Sequence, residues 1–210
     1  LSHRNLRFTT WSISTYLENR AGDRILSYPP LSFDYGFFQA ATALRVGASL
    51  FLGRNFFVMD ALRRLGELEI TGFPLVPSML AMLHMLRRPE RHSLPALRYV
   101  SNTAQALPVP AIRRFRRLWP AVAVYSMYGL TECTRALYLP PEEIDDHPES
   151  VGGPIPGTRA RLEGAAGRSP GPGRPGELVV AGDHVMLGYW GDPEGTAALV
   201  RPDGEGGREL

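Results

Sequence analysis

The chain has 210 residues, 44% of them hydrophobic and 21% charged, with a net charge of +2 and a single cysteine. That balance supports a packed core in one or two domains and excludes a disordered or fibrous chain, a disulfide framework and an all-cysteine zinc site. No long apolar run occurs, so no membrane-spanning helix is expected, and the small net charge argues against a dedicated nucleic-acid binder. All 23 basic residues are arginine, a bias that GC-rich coding produces, and it means that no lysine-dependent step can be completed by these residues.

The first residue is Leu1 and the last three are Arg208-Glu209-Leu210, so both ends read as cut. Strands are predicted at Arg24–Ser27, Ala48–Leu52, Ile70–Leu75, Leu97–Ser101 and Ala121–Tyr125. Helices are predicted between them at Asp34–Val46, Phe56–Gly66, Pro77–Leu86 and Pro108–Leu118, the last two opening with proline as first helical turns favour. This alternation predicts an α/β fold over residues 1–140, a parallel sheet layered with helices. Ligands bind beyond the carboxyl ends of such strands, which makes the loops after Ser27, Ser101 and Tyr125 the first places to look. From Pro140 onward glycine and proline increase, and Arg159–Glu163, Glu177–Ala181 and Val185–Trp190 predict a small β-rich subdomain over residues 141–210.

Several tempting motifs reduce to ordinary structure. Gly171–Gly176 fits G-x-G-x-x-G, but two prolines interrupt it and a β-type run follows, so it reads as a hairpin loop. Arg113–Arg117 reads as the solvated face of a helix with Phe115 and Leu118 turned inward. Met79–Leu86 reads as a packed crossover helix rather than a membrane-surface one. His84, His92 and His147 lack metal-ligand spacing.

Tyr125–Glu132 (YSMYGLTE) carries more chemistry. Tyr128 offers a flat face for a purine, and Gly129 permits a tight turn. Thr131 offers a hydroxyl to a phosphate, and Glu132 a hard oxygen ligand to magnesium. With it in chain order come Leu1–Leu6 (LSHRNL), Pro30–Gly36 (PLSFDYG), Ser150–Gly157 (SVGGPIPG) and Gly176–Trp190 (GELVVAGDHVMLGYW). The series resembles the adenylate-forming superfamily of acyl-CoA synthetases, luciferases and the adenylation domains of peptide synthetases.

The resemblance implies a cytoplasmic ligase that joins a small-molecule carboxylic acid to ATP, giving an acyl-AMP and pyrophosphate. Coenzyme A or a phosphopantetheine thiol, the latter on an acyl-carrier protein, would then take the acyl group. It implies Thr131 and Glu132 as catalytic residues, Glu132 holding Mg2+, and Tyr128, Gly129 and Thr131 around the nucleotide. Ala104, Gln105 and Ala106 stand where the family has Gly-Gly-Ala beside adenine, and Gln105 adds a side chain there. Asp34, Phe38, Leu75, Ser101 and Thr103 become the substrate pocket, with Phe37 beside them. Asp34 matches the residue that binds a substrate amino group in amino-acid-activating members, and reads equally well as a helix N-cap. The family's lysine-bearing phosphate loop, its Thr-Gly-Asp segment and its lid are expected outside this chain, so these residues alone are expected to be inactive. An amino-acid adenylation domain and a non-catalytic nucleotide-binding relative are the alternatives.

Overall fold

The computed structural model describes residues 1–164 and 167–210. It opens with helix α1 (His3–Tyr16), which the hydrophobic pattern does not announce. The reason is that its buried side includes Asn5, Thr9, Ser12 and Ser14 beside Ile13 and Tyr16, so no apolar stripe marks the face it buries. A capping box starts it: the Asn5 amide donates to Ser2 Oγ at 3.2 Å, and the Ser2 amide donates to Asn5 Oδ1 at 2.6 Å.

Five parallel strands follow: β1 (Arg24–Ser27), β2 (Ser49–Leu52), β3 (Gly72–Leu75), β4 (Tyr99–Asn102) and β5 (Ala123–Tyr128). Between them run α2 (Asp34–Val46), α3 (Val58–Glu67), α4 (Pro77–His84) and α5 (Val109–Leu118). The α/β expectation therefore holds, with boundaries moved by a few residues. The largest shift is at β5, which continues to Tyr128. The chain then turns back into β6 (Leu137–Leu139) and β7 (Gly153–Pro154), both antiparallel, giving the sheet order β2-β1-β3-β4-β5-β6-β7. A separate four-stranded sheet contains β8 (Arg159–Glu163), β9 (Glu177–Ala181), β10 (Arg201–Pro202) and β11 (Arg208–Glu209) in the order β10-β11-β9-β8, with the short helix α6 (Pro193–Leu199) between β9 and β10. Val185–Trp190 is not the strand its pattern suggested. It runs through turns, with Gly188 at φ +145°. Gly171–Gly176 lies in the β8–β9 hairpin loop, and Arg208–Glu209 pairs with both β10 and β9.

Two apolar layers sandwich the large sheet. One joins Leu26, Phe73, Leu75 and Val124 to Leu65, Leu80, Ile112 and Phe115 from α3, α4 and α5. The other joins Tyr99, Tyr125 and Met127 to Tyr16 of α1 and to Tyr35 and Phe38 of α2. Behind the amino ends of the strands, fully buried Asp23 takes Arg98 at 2.8 Å, Thr71 Oγ1 at 2.8 Å and the Arg20 amide at 2.9 Å. Burial alone would raise this carboxyl, but the Arg20, Arg98 and Thr71 hydrogen bonds outweigh it and hold its pKa below the usual range.

His184 is the keystone between α1 and the small sheet. Its ring is fully buried, stacks on Phe8 at 5.7 Å, and has no partner at Nε2 among the described residues. Desolvation lowers its pKa from 6.5 to about 4, against a weaker opposing pull from Asp183. The unfolded chain takes up this proton near pH 6.5 and the folded protein only near 4, so its stability is full above that window and declines as pH falls through it. Urea titrations are expected to show up to about 3 kcal/mol lost to this residue between those limits, and His184→Leu is expected to remove that component.

Candidate functional site

The site grows out of the turn between β5 and β6. The Ala136 amide donates to the Tyr128 carbonyl at 2.9 Å, and the Cys133 amide to the Leu130 carbonyl at 3.1 Å. The chain returns so closely that a Cβ at Gly129 would lie 2.2 Å from the Thr134 carbonyl oxygen. Only glycine fits there. Thr134 closes the turn in the left-handed region at φ +58°; its hydroxyl donates to the Cys133 carbonyl at 2.7 Å and meets the hydroxyl of buried Thr9 of α1 at 3.1 Å.

Opposite the turn lies the loop after β4. Asn102 is buried and donates from Nδ2 to the Gln105 carbonyl at 2.8 Å, which pins the loop. Ala104 sits at φ +73°, where a side chain is strained and glycine is at ease. Between the loop and the turn is a cleft of about 260 Å³, lined by Thr103 and Ala104 on one side and by Gly129, Leu130, Thr131 and Glu132 on the other. Phe33, Asp34 and Arg135 close it.

The sequence-named residues thus divide. Asp34, Thr103, Ala104, Gly129, Thr131 and Glu132 come together around one cleft. Phe38 and Leu75, at 1% and 0% exposure, are packed in the two apolar layers. Ser101 is also buried, and its carbonyl and hydroxyl meet the Tyr35 hydroxyl at 2.6 and 2.9 Å. Gln105 and Ala106 are exposed beside the cleft rather than lining it. Tyr128 is half-buried against the cluster of Cys133, Ala136, Leu137 and Val180. Phe37 is exposed and meets Phe38 edge-on at 5.4 Å.

Asp34 is not a helix N-cap. Phe33 holds that position, and Asp34 begins the helix proper, with Oδ1 accepting from the Tyr35 amide at 2.7 Å and Oδ2 paired to Arg135 Nη1 at 3.3 Å. Arg135 is the functional candidate that sequence reasoning missed. Its side chain is 3% exposed, donates to the Thr134 carbonyl at 2.5 Å and lies over the Tyr35 ring at 5.2 Å. Only its place three residues after Glu132 could have drawn attention to it.

Among the described residues the Glu132 carboxylate has one hydrogen-bond partner, with Oε1 accepting from the Tyr189 hydroxyl at 2.6 Å. No group of three metal-ligating side chains exists among the described residues. One carboxylate is too few to hold a resident metal, but it suits a magnesium ion that brings most of its ligands as phosphate and water oxygens. Cys133 next to it is not a nucleophile: burial, first of all, pushes its thiol up to about 11.

The family model described as AMP-binding enzyme matches residues 1–190. The chain belongs to that family. Among curated proteins it is 33% identical over 178 residues to 4-coumarate--CoA ligase-like 6 of Oryza sativa subsp. japonica, a match covering 83% of this chain and 30% of that protein. Among solved structures, VinN in complex with L-aspartate superposes with a TM-score of 0.83 at 34% identity, over 98% of this chain and 54% of that one. MenE of Bacillus subtilis, in complex with ATP and magnesium ion, shares the fold with a TM-score of 0.86 at 24% identity, over 98% of this chain and 42% of that one. The chain thus spans well under two thirds of each of them.

At φ +73° Ala104 holds a backbone conformation that glycine adopts without strain. Ala104→Gly is expected to raise stability by about 1 kcal/mol in urea unfolding, because relief of the left-handed alanine exceeds the added backbone freedom of the unfolded chain.

Proposed function

We propose that these residues carry part of the active site of an ATP-dependent ligase that activates a carboxylic acid as its acyl adenylate. The acyl group would then pass to the thiol of coenzyme A or of a phosphopantetheine arm on an acyl-carrier protein. The observation that carries this reading is the rigid β5–β6 turn, which sets Thr131 and Glu132 across a cleft from Thr103 and Ala104. In the reaction a substrate carboxylate oxygen attacks the α-phosphorus of ATP, and the bond from that phosphorus to the bridging oxygen breaks to release pyrophosphate. Glu132 would hold magnesium, which supplies positive charge to the phosphate oxygens. Thr131 would donate its hydroxyl to a phosphate oxygen, and the backbone of residues 103–104 would lie along the base. Fixing these groups before the substrates arrive is what lowers the barrier to an in-line displacement.

The geometry also favours one class of acid. Asp34 and Arg135 both line the cleft and are paired with each other at 3.3 Å, an ion pair into which a substrate ammonium and carboxylate would exchange, the ammonium at Asp34 and the carboxylate at Arg135. Phe38 and Leu75, the apolar residues named for the substrate pocket, are sealed in the core. VinN, the relative solved with L-aspartate, is a neighbour at 34% identity. A small amino acid with a second carboxylate is therefore the acid that the Asp34–Arg135 pair suits.

ATP–pyrophosphate exchange by the full-length protein tests both readings. Aspartate-like amino acids are expected to stimulate exchange at least tenfold over hexanoate and coumarate, and Asp34→Asn and Arg135→Met are each expected to lower kcat/KM for them by roughly 10- to 100-fold. Residues 1–210 alone are expected to support none. Exchange with coumarate or fatty acids only would keep the ligase and reject the amino acid; no exchange with any acid would reject the ligase.

A further inference from the structure

Glu132 is gripped from a segment more than fifty residues away in sequence. After β9 the chain passes the β5–β6 turn, where the Met186 amide donates to the Glu132 carbonyl at 2.8 Å and the Tyr189 hydroxyl to Glu132 Oε1 at 2.6 Å. Tyr189 is itself anchored. Its amide donates to Thr196 Oγ1 at 2.8 Å, and that hydroxyl donates to the Asp192 carbonyl at 2.7 Å. Gly188 packs against the same threonine so tightly that a Cβ would lie 2.5 Å from Thr196 Cγ2. The start of the segment is fixed from the other side, where Asn5 of α1 donates from Nδ2 to the Asp183 and Val185 carbonyls at 2.7 and 2.9 Å.

This clamp has a chemical consequence for the carboxylate. A free glutamate samples many rotamers and must surrender them when it binds a cation. The phenol engages one oxygen only, and Oε2 keeps no partner among the described residues. We propose that Tyr189 is a positioning residue: its hydroxyl fixes the Glu132 carboxylate so that Oε2 is presented, already ordered, to the divalent cation that arrives with the nucleotide. The inference rests on the cation-holding role proposed for Glu132. A phenylalanine in its place keeps the ring and the backbone clamp and removes only the hydrogen bond.

The test uses the full-length protein with Mn2+ as the probe, its free-ion signal followed by electron paramagnetic resonance in the presence of α,β-methylene-ATP. Tyr189→Phe is expected to weaken Mn2+ binding about tenfold, the worth of a hydrogen bond to a charged group, while metal-free nucleotide affinity and Tm stay at the wild-type values. Glu132→Gln is expected to weaken Mn2+ binding further. Wild-type Mn2+ affinity in Tyr189→Phe, with Glu132→Gln impaired, would overturn the role of Tyr189 and leave that of Glu132 standing. Wild-type affinity in Glu132→Gln would remove the cation reading itself, and the inference with it. A parallel loss of Tm or metal-free nucleotide affinity in Tyr189→Phe would reduce the tyrosine to a structural support.

Discussion

The site depends on how closely the chain passes itself at Gly129. A Cβ there would meet the Thr134 carbonyl oxygen at 2.2 Å, so the β5–β6 return exists in this form only because residue 129 has no side chain. The return does three things at once. It lifts Thr131 and Glu132 to the rim of the sheet, brings Arg135 beneath the cleft to Asp34, and leaves Thr134 facing α1. A wider turn would separate these groups, and each is placed by backbone rather than by a flexible side chain.

A polar stripe on α1 holds the surroundings to that turn. Asn5, Thr9 and Ser12 follow helical spacing and reach, respectively, the carbonyls of Asp183 and Val185, the hydroxyl of Thr134, and the carbonyl of Pro156. Each contact satisfies a buried polar group, and each joins a segment distant in sequence to the same helix. One helix thereby sets the turn that carries Glu132 and the segment that carries its partner Tyr189. The lysine-free composition suits this economy of charge. Arginine makes the forked contact to Asp23 and lies over the ring of Tyr35 while pairing with Asp34, geometries that an ammonium does not reproduce.

Much of this was legible in the sequence, and the gaps have physical causes. The βα rhythm showed because the helices between the strands bury apolar residues and the short strands between them are rich in apolar and aromatic side chains. The glycine and acidic residues of YGLTE marked the turn because their chemistry is local. Helix α1 stayed hidden because it buries Asn5, Thr9 and Ser12 where a pattern search looks for apolar side chains. Phe38 and Leu75 were read as pocket residues because a sequence shows that a side chain is apolar but not which layer it enters. Arg135 was passed over for the converse reason: an arginine reads as surface until a structure shows the buried partners that neutralise it. Val185–Trp190 misled through its apolar run, whose glycine at 188 takes a backbone conformation no strand adopts.

If the close approach at Gly129 builds the proposed nucleotide site, equilibrium dialysis of ATP with magnesium against the full-length protein and its Gly129→Ala variant will separate the two. The added Cβ would push back the backbone of Thr134 and Arg135, so the variant, compared at a temperature where circular dichroism shows it folded, is expected to bind ATP at least tenfold more weakly as Thr131 and Glu132 are displaced. A variant that binds ATP as tightly as the native protein would contradict the account.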